Sequence, residues 1–347
     1  MHRCSFAAVS LRFLRIATVM VFTICTLASS LYAQSAKKQG FQAFIVGNPE
    51  DAPAAQTLSP GLVIMGGGTD VDAAFQWMCE RAGGGDFVVI RTTGTDAYNP
   101  YIQELCPQMD SVETIIITSV TGANSEYVSS HIQNAEALWI AGGDQSTYTE
   151  TWRGTAVQSG VNFLLNSKLA PVGGTSAGLA VLSQFIYTGE LGSATSTQVL
   201  ANPFHRYVTL DRDLFQSALG VNKLYDSHFV TRDRLGRSLV FLARIVNNGW
   251  ATQPRGIGVD ERTALLILPN GAATMVGSGA AYFLQAPGPA QVLAEKTPMT
   301  YLNIGVYKVP QGGTFNFSTW TGTGGVAYTL NVNNGVVTST QAGGNIY

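Results

Sequence analysis

The chain has 347 residues and is nearly balanced in charge, with 20 Lys and Arg against 22 Asp and Glu. This composition does not favour a nucleic acid or an anionic membrane surface as a partner, because either calls for a strongly basic surface. The length allows one large domain, alone or with a small appendage.

The first 33 residues have the pattern of a secretory signal. Three arginines precede an apolar stretch at residues 16–27, and small residues follow up to Ala33. A charged region, an apolar core of about a dozen residues and a cleavage region are typical of a signal peptide. We therefore expect cleavage after Ala33 and a secreted or periplasmic protein without a membrane span, with an uncleaved anchor as the alternative. Removing these residues takes three of the 20 cations away, which leaves 17 against 22 acids.

Two cysteines, Cys79 and Cys106, remain after such a cleavage, and both fall on predicted helices. An oxidising compartment permits a disulfide between them, and two buried thiols are the alternative. The cysteines do not have the spacing of metal ligands. We expect neither a metal ion nor a cofactor.

Residues 34–60 are a lead-in, and a regular pattern begins at Gly61. Continuous apolar runs then alternate with helical patterns, and four of these runs are predicted strands: Leu62–Met65, Phe87–Ile90, Thr114–Ile117 and Ala137–Ile140. Buried strands separated by helices are typical of a parallel sheet that is covered on both faces. The sequence therefore predicts an α/β fold with a doubly wound, mostly parallel sheet.

Ligands in such sheets bind beyond the carboxyl ends of the strands. Three glycine-rich segments fall there: Gly66–Asp70, Gly142–Gln145 and Gly173–Gly178. The first lacks the spacing of a dinucleotide or phosphate loop, so phosphate binding is not favoured. The third reads G-x-S-x-G between an apolar run and a helical run. By itself this pattern is more often a plain turn, but between strand and helix it predicts a nucleophile elbow that exposes Ser176.

An activated serine needs a base, usually a histidine held by a carboxylate. His131 lies in a helical pattern that precedes a strand, at the end of its βα unit that is away from the carboxyl ends of the strands. His205 lies in an irregular stretch. His228 follows a strand-like run and therefore falls at a strand's carboxyl end, so we favour it as the base.

Two acids are candidates for orienting that histidine. Glu261 ends a strand-like run, and Glu190 lies between Ser176 and His228. With Glu261, the order Ser, His, Glu differs from that of the α/β-hydrolases, which argues against a lipase or an esterase.

Three arginines, Arg232, Arg234 and Arg237, follow the histidine near the start of a predicted helix. Cations are unfavourable at this end of a helix, because the helix dipole is positive there. We therefore expect these arginines to bind an anion. Arginine binds carboxylates through paired hydrogen bonds, which points to a carboxylate ligand. The alternative is a solvated face in which Asp233 pairs with Arg237.

From about Thr263 short β-like runs dominate. Residues 319–347 are rich in Gly, Thr and Asn, and Asn333–Gly335 between two β-like runs predicts a hairpin. We expect a β-rich C-terminal extension and assign it no chemistry.

Four segments together resemble the cyanophycinase and aspartyl dipeptidase family of serine peptidases, and the cyanophycinase branch best. They are Gly142–Gln145, Gly173–Gly178, Asp226–Arg237 and Gly256–Glu261. The resemblance runs from Gly61 to about Phe317, and we take residues 61–318 as the peptidase domain. It implies a sheet like that of class I glutamine amidotransferases, with serine in place of their cysteine nucleophile.

The resemblance also implies roles for individual residues. Ser176 would be the nucleophile, His228 the base and Glu261 the orienting acid. The oxyanion hole would be formed by Gly142, Gly143 and Ala177. The substrate pocket would be lined by Gln145, Asp226, Arg232, Arg234 and Arg237.

Cyanophycin has a polyaspartate backbone with arginine on each β-carboxyl, and family enzymes release β-Asp-Arg dipeptides from it. The resemblance therefore implies a secreted serine exopeptidase acting on β-linked aspartyl peptides, with cyanophycin first. Ser227 stands where characterised cyanophycinases carry glutamine, which leaves other aspartyl or isoaspartyl peptides as alternative substrates. An inactive homologue that binds acidic peptides is a third reading. The oligomeric state, a homodimer included, stays open.

Overall fold

The computed structural model describes residues 39–52 and 57–347. The predicted signal at residues 1–33 lies outside the described residues, so its cleavage and the secreted location stay predictions. Within the described ranges, no helix is long and apolar enough to cross a lipid bilayer.

Helices and strands alternate through most of the chain up to residue 247, and strands dominate after it. The strands are β1 (Phe41–Gly47), β2 (Leu62–Met65), β3 (Asp86–Arg91), β4 (Ser111–Ile117), β5 (Ala137–Ile140), β6 (Val172–Thr175), β7 (Phe185–Tyr187), β8 (Leu210–Arg212), β9 (Lys223–Asp226), β10 (Arg255–Val259), β11 (Thr263–Ile267), β12 (Ala272–Gly277), β13 (Ala280–Gln285), β14 (Tyr301–Pro310), β15 (Thr314–Asn316), β16 (Thr321–Thr323), β17 (Val326–Asn333) and β18 (Val336–Ser339). The α-helices are α1 (Asp72–Ala82), α2 (Tyr98–Leu105), α3 (Val120–Ala123), α4 (Glu126–Asn134), α5 (Gln145–Trp152), α6 (Ala156–Phe163), α7 (Ala177–Val181), α8 (Ser196–Ala201) and α9 (Leu235–Asn247). A π-helical turn spans Leu164–Lys168, and 3₁₀ turns span Ala218–Gly220 and Ala342–Gly344.

Ten strands form the first sheet, in the order β1-β4-β3-β5-β6-β2-β11-β12-β15-β16. The five neighbours from β4 to β2 run parallel, and the flanking pairs are antiparallel. Strand β2 is buried on both faces, because Val63 and Met65 pack in one apolar core while Leu62 and Ile64 pack in another. A parallel sheet between helices requires this double burial. The predicted α/β fold is confirmed.

Eight strands form a second sheet, in the order β18-β17-β14-β13-β10-β9-β7-β8. Here β10 and β7 both run parallel to β9, and the other pairs are antiparallel. Helix α9 contributes apolar side chains, among them Leu239 and Leu242, to the core of this sheet. This second sheet was not predicted from the sequence, because an apolar run does not reveal which strand it will pair with.

The C-terminal residues belong to these two sheets, so the predicted β-rich C-terminal part is confirmed. Strand β17 pairs with β14, and β18 pairs with β17. Between β17 and β18, Asn334 and Gly335 both have positive φ, as a two-residue hairpin turn of this type requires.

A disulfide joins Cys79 in α1 to Cys106, the residue that follows α2. Of the two alternatives that the sequence left open, the structure therefore has the bonded pair. Both sulfurs lie in the apolar core between these helices and the first sheet.

Candidate active site

Ser176 lies on a sharp turn between β6 and α7. Its φ is 54° and its ψ is −113°, a conformation that costs a non-glycine residue about 1–3 kcal/mol. The turn needs small neighbours, since a Cβ atom on Gly174 would lie 2.6 Å from the carbonyl oxygen of Gly178. A Cβ atom on Gly178 would lie 2.0 Å from the carbonyl oxygen of Ile140. This is the elbow geometry that the G-x-S-x-G pattern predicts.

His228 links this serine to an acid. Its Nε2 atom lies 2.8 Å from Ser176 Oγ, and its Nδ1 atom lies 2.6 Å from Glu261 Oε1. We assign the tautomer from these partners: Nδ1–H donates to the carboxylate, and Nε2 accepts from the hydroxyl. The structure thus brings Glu261 to the histidine, whereas the alternative acid Glu190 is exposed to solvent.

The surroundings of His228 lower its pKa. Burial disfavours the charged imidazolium most, and the nearby Arg232 and Arg234 act in the same direction. The hydrogen bond that His228 donates to Glu261 opposes this change but does not outweigh it. At neutral pH the imidazole is therefore uncharged, which is the form that can accept a proton from Ser176.

The glycine-rich loop after β2 forms the wall behind this histidine. His228 N–H donates to the carbonyl oxygen of Gly66 at 2.7 Å. A Cβ atom on Gly67 would lie 2.4 Å from His228 Cε1, and one on Gly68 would lie 3.1 Å from Glu261 Cβ. From its sequence this loop was a candidate for phosphate binding alone, and its role beside His228 was not predicted. The available signal was a run of glycines directly after a strand of the parallel core.

Two of the residues predicted for the oxyanion hole, Gly142 and Ala177, lie beside Ser176. A Cβ atom on Gly142 would lie 3.6 Å from Ser176 Cβ. Ala177 is the first residue of α7, and the first N–H groups of a helix have no partner within that helix. Gly143 lies against Tyr148, whose hydroxyl donates to the carbonyl oxygen of Ala141 and so holds this loop. Gln145, which begins α5, donates to the carbonyl oxygen of Tyr187 at 3.1 Å.

Two of the predicted pocket residues bind each other. Arg237 is 2% exposed, and its Nε and Nη2 atoms lie 2.8 and 2.5 Å from the two carboxylate oxygens of Asp226. Ser238 Oγ also donates to this carboxylate. Burial raises the pKa of Asp226, but the charges of Arg237 and Arg234 and the hydrogen bonds from Arg237 and Ser238 together outweigh burial and hold the pKa below its ordinary value. The alternative pair of Asp233 with Arg237 is therefore replaced by a buried pair between β9 and α9.

Arg232 and Arg234 are less completely engaged. Arg234 Nη1 donates to the carbonyl and hydroxyl oxygens of Ser227, at 2.9 and 3.1 Å, and lies 3.6 Å from Asp226 Oδ1. Burial lowers the pKa of Arg234 to about 10, so it stays charged at neutral pH. Arg232 has a side chain that is 54% exposed, and its Nε lies 3.8 Å from Glu261 Oε1. Both guanidinium groups retain donors for an anion near the Ser–His–Glu chain.

An open cavity of about 390 Å³ has Gly68, a glycine of the loop that lies against Glu261, in its lining. Its lining includes Asp70, Arg91 and Tyr98. Burial raises the pKa of Asp70. The cavity lies beside the glycine-rich loop, and its lining does not include His228 or Glu261.

No protein-family model matches the chain. No curated protein matches it either. Two solved structures are similar to parts of it. A peptidase from an acI-B1 actinobacterium is 15% identical, with 75% of this chain and 98% of that chain covered and a TM-score of 0.49. A putative peptidase E protein from Listeria monocytogenes EGD-e is 13% identical, with 63% and 98% covered and a TM-score of 0.39.

Proposed function

We propose that the protein is a serine peptidase that cleaves aspartyl peptides through an acyl-enzyme. The observation that carries this proposal is the hydrogen-bonded chain from Ser176 Oγ through His228 to Glu261, with distances of 2.8 and 2.6 Å. The serine lies on a strained turn, the histidine is uncharged, and the acid holds its tautomer. These are the features that activate a serine hydroxyl as a nucleophile.

In the proposed reaction Ser176 Oγ attacks the scissile carbonyl carbon while His228 Nε2 takes the hydroxyl proton. The negative charge that develops on the carbonyl oxygen is stabilised by N–H groups of Ala177 and of the Gly142–Gly143 loop. His228 then gives its proton to the leaving amine, the C–N bond breaks and an acyl-serine ester remains. Water, deprotonated by the same imidazole, attacks this ester and releases the acid product and the free serine.

The charged side chains next to Ser176, His228 and Glu261 favour an anionic substrate. Arg234 and Arg237 share the carboxylate of Asp226, so these three groups carry one positive charge in excess in a largely buried place. Arg232 is a further cation, but its side chain is 54% exposed and the Glu261 carboxylate 3.8 Å away balances its charge. A buried excess charge is unfavourable unless a ligand of opposite charge compensates it. An aspartyl carboxylate of the substrate would do so, bound by Arg232 and Arg234.

Cyanophycin is the first candidate substrate, on the basis of the sequence resemblance, with β-Asp-Arg dipeptides as the products of exopeptidase cleavage. Other aspartyl or isoaspartyl peptides are the second candidate, and one contact favours them. Ser227 stands where characterised cyanophycinases carry glutamine, and both its carbonyl and its hydroxyl oxygen bind Arg234. The residue that differs from those enzymes, Ser227, therefore contacts Arg234, a proposed substrate-binding side chain.

The test is to incubate the purified protein with cyanophycin, with aspartyl and isoaspartyl dipeptides and with matched peptides in which the free aspartyl carboxylate is an amide, and to identify the products. These matched peptides, called Asn peptides below, carry Asn in the α-linked series and an α-carboxamide in the β-linked series. Release of β-Asp-Arg would support the first candidate, and cleavage of the dipeptides alone the second. The Ser176→Ala variant is the blank. Equal cleavage of Asp and Asn peptides would contradict the role of the arginines. Equal activity of the parent and the blank would contradict the serine mechanism, and binding without turnover would point to an inactive homologue.

A further inference from the structure

Tyr347 lies in residues 340–347, which follow β18 and are called the C-terminal segment below. It lies against residues 229–235, the loop that carries Arg232 and Arg234. Its ring meets Phe229, the neighbour of His228, edge to face with centroids 6.0 Å apart. It meets Tyr282 in the same way at 5.9 Å. Gln341 Nε2 donates to the carbonyl oxygen of Tyr347, and Tyr328 Oη donates to that of Ile346, so the segment is itself held in place.

The hydroxyl group of Tyr347 bridges the two residues that flank Arg234. It donates to Asp233 Oδ1 at 2.8 Å and accepts from Leu235 N–H at 3.1 Å. Burial raises the pKa of Tyr347, so the phenol keeps the proton that it donates. Leu235 is the first residue of α9, and its N–H is one of the donors that a helix leaves without an internal partner. One side chain from the C-terminal segment thus supplies the missing acceptor.

Both contacts constrain the direction of Arg234. Asp233 has a φ of 47°, a strained conformation for an aspartate, and needs contacts that maintain it. Without the phenol, its carboxylate would be free to pair with the adjacent guanidinium groups. It would then compete with the carboxylate of a substrate for them.

We infer that Tyr347 is a positioning residue for Arg234, so that the C-terminal segment is part of the substrate-binding site. This inference rests on the proposed function, because it assigns a role in the selection of acidic substrates. It gives chemistry to a segment whose sequence pattern indicated only a β-rich extension. The substrate class that it concerns is peptides with a free aspartyl carboxylate at the bound residue.

The experiment compares Tyr347→Phe with Tyr307→Phe. Each variant removes one phenol hydroxyl that accepts a hydrogen bond from a backbone N–H, but the Tyr307 hydroxyl accepts from Gly325, which precedes β17 of the second sheet, and not from the loop that carries the arginines. Two measurements are made: the ratio of kcat/KM on matched Asp and Asn peptides, and hydrogen exchange of the Leu235 amide. For Tyr347→Phe we expect the ratio to fall about tenfold, through a higher KM on the Asp peptide, and the amide to exchange faster. For Tyr307→Phe we expect the ratio to equal that of the parent.

Three results would overturn the inference. An unchanged ratio in Tyr347→Phe, together with a lost preference in Arg234→Ala, would overturn it and leave the proposed function standing. Equal losses in both tyrosine variants would show that the loss does not depend on the contacts of Tyr347 with Asp233 and Leu235. A parent protein that does not distinguish Asp from Asn would overturn the proposed carboxylate site, and the inference with it.

Discussion

At the scale of single residues, the candidate site depends on backbone conformations that most residues avoid. Ser176 and His228 both have positive φ, of 54° and 46°. Such conformations persist only where the surroundings hold them, and they occur most often at functional sites. Here the surroundings are the Gly174–Gly178 turn and the hydrogen bond from His228 N–H to Gly66.

The acid of the site can be tested by a substitution that keeps the size of the side chain and removes its negative charge. Glu261→Gln keeps the shape of the side chain but replaces the carboxylate that fixes the His228 tautomer. We expect kcat to fall by roughly 10²–10⁴, as for other triads. Glu190→Gln is the control and should leave kcat near the parent value. A loss confined to the Glu190 variant would assign the role to that residue instead.

The arginines can be tested through substrate selectivity. Arg234→Ala removes a charge-assisted contact to the proposed substrate carboxylate. We expect kcat/KM on aspartyl peptides to fall about ten- to a hundredfold, with little change on the matched Asn peptides. Steady-state rates on the peptide pair measure this. Losses of equal size on both peptides would mean that Arg234 supports the structure and does not bind the substrate carboxylate.

The pH profile provides a separate test of Arg232. This cation lowers the pKa of His228, so Arg232→Ala makes the imidazolium less unfavourable and raises that pKa. Activity requires the uncharged imidazole, and the acidic limb of kcat/KM should therefore move to higher pH. Arg206→Ala, at an exposed arginine stacked on Tyr207, is the control and should leave the limb in place. If the acidic limb does not move in Arg232→Ala, this arginine does not affect the pKa of His228.

At the scale of elements, the site is built from loops at strand ends, and the glycine loop after β2 matters most for the histidine. Gly67 has a φ of 95°, and its Cα hydrogen faces the imidazole ring. Here the absence of a Cβ atom leaves the room that His228 occupies. The buried pair of Asp226 and Arg237 plays a complementary part, because it ties the end of β9 to the first turn of α9.

Gly67→Ala should therefore damage catalysis more than stability. The new methyl group would lie 2.4 Å from His228 Cε1 and must displace the ring. We expect kcat/KM to fall at least about a hundredfold, since displacements of about 1 Å have effects of this size. Gly312→Ala is the matched control, because Gly312 also has positive φ, 77°, but has open space around its Cβ position. Equal activity of the two variants would contradict the packing role of Gly67.

At the scale of the whole molecule, the Ser–His–Glu chain is assembled across two sheets. Ser176 follows β6 of the first sheet, whereas His228 and Glu261 follow β9 and β10, parallel neighbours in the second. Any relative displacement of the sheets would therefore separate nucleophile from base. The antiparallel strand β11, which directly follows Glu261, pairs with β2 and connects the two sheets at the site.

The disulfide should contribute to the stability of the molecule without contributing to its chemistry. It links positions 27 residues apart, in α1 and directly after α2, on one face of the first sheet. A cross-link over a loop of this length stabilises a fold by about 3 kcal/mol. The Cys79→Ser, Cys106→Ser double variant should lose about this much free energy of unfolding and keep the kcat of the parent in its folded form. Urea denaturation and steady-state rates measure the two quantities, and an unchanged unfolding midpoint would contradict the prediction.

Much of this molecule follows from local sequence, because its main signals are local in origin. Apolar runs of four residues such as Leu62–Met65 predict buried strands, and G-x-S-x-G between strand and helix predicts the turn at Ser176. Asn334–Gly335 predicts a hairpin, since few residues adopt the positive φ that the turn requires. The position of His228 at a strand end likewise follows from the order of the pattern.

Only the tertiary structure decided which of these groups meet. The choice between Glu261 and Glu190, the partner of Arg237 and the contact of Tyr347 with residues more than a hundred positions away all depend on how the strands pair. Strand pairing is non-local, because the hydrogen bonds of a β-strand are made with another segment, whereas turns and helices bond within themselves. The sequence by itself thus determined which side chains stand at the strand ends. The pairing of strands into two sheets determined that those of β6, β9 and β10 form one site.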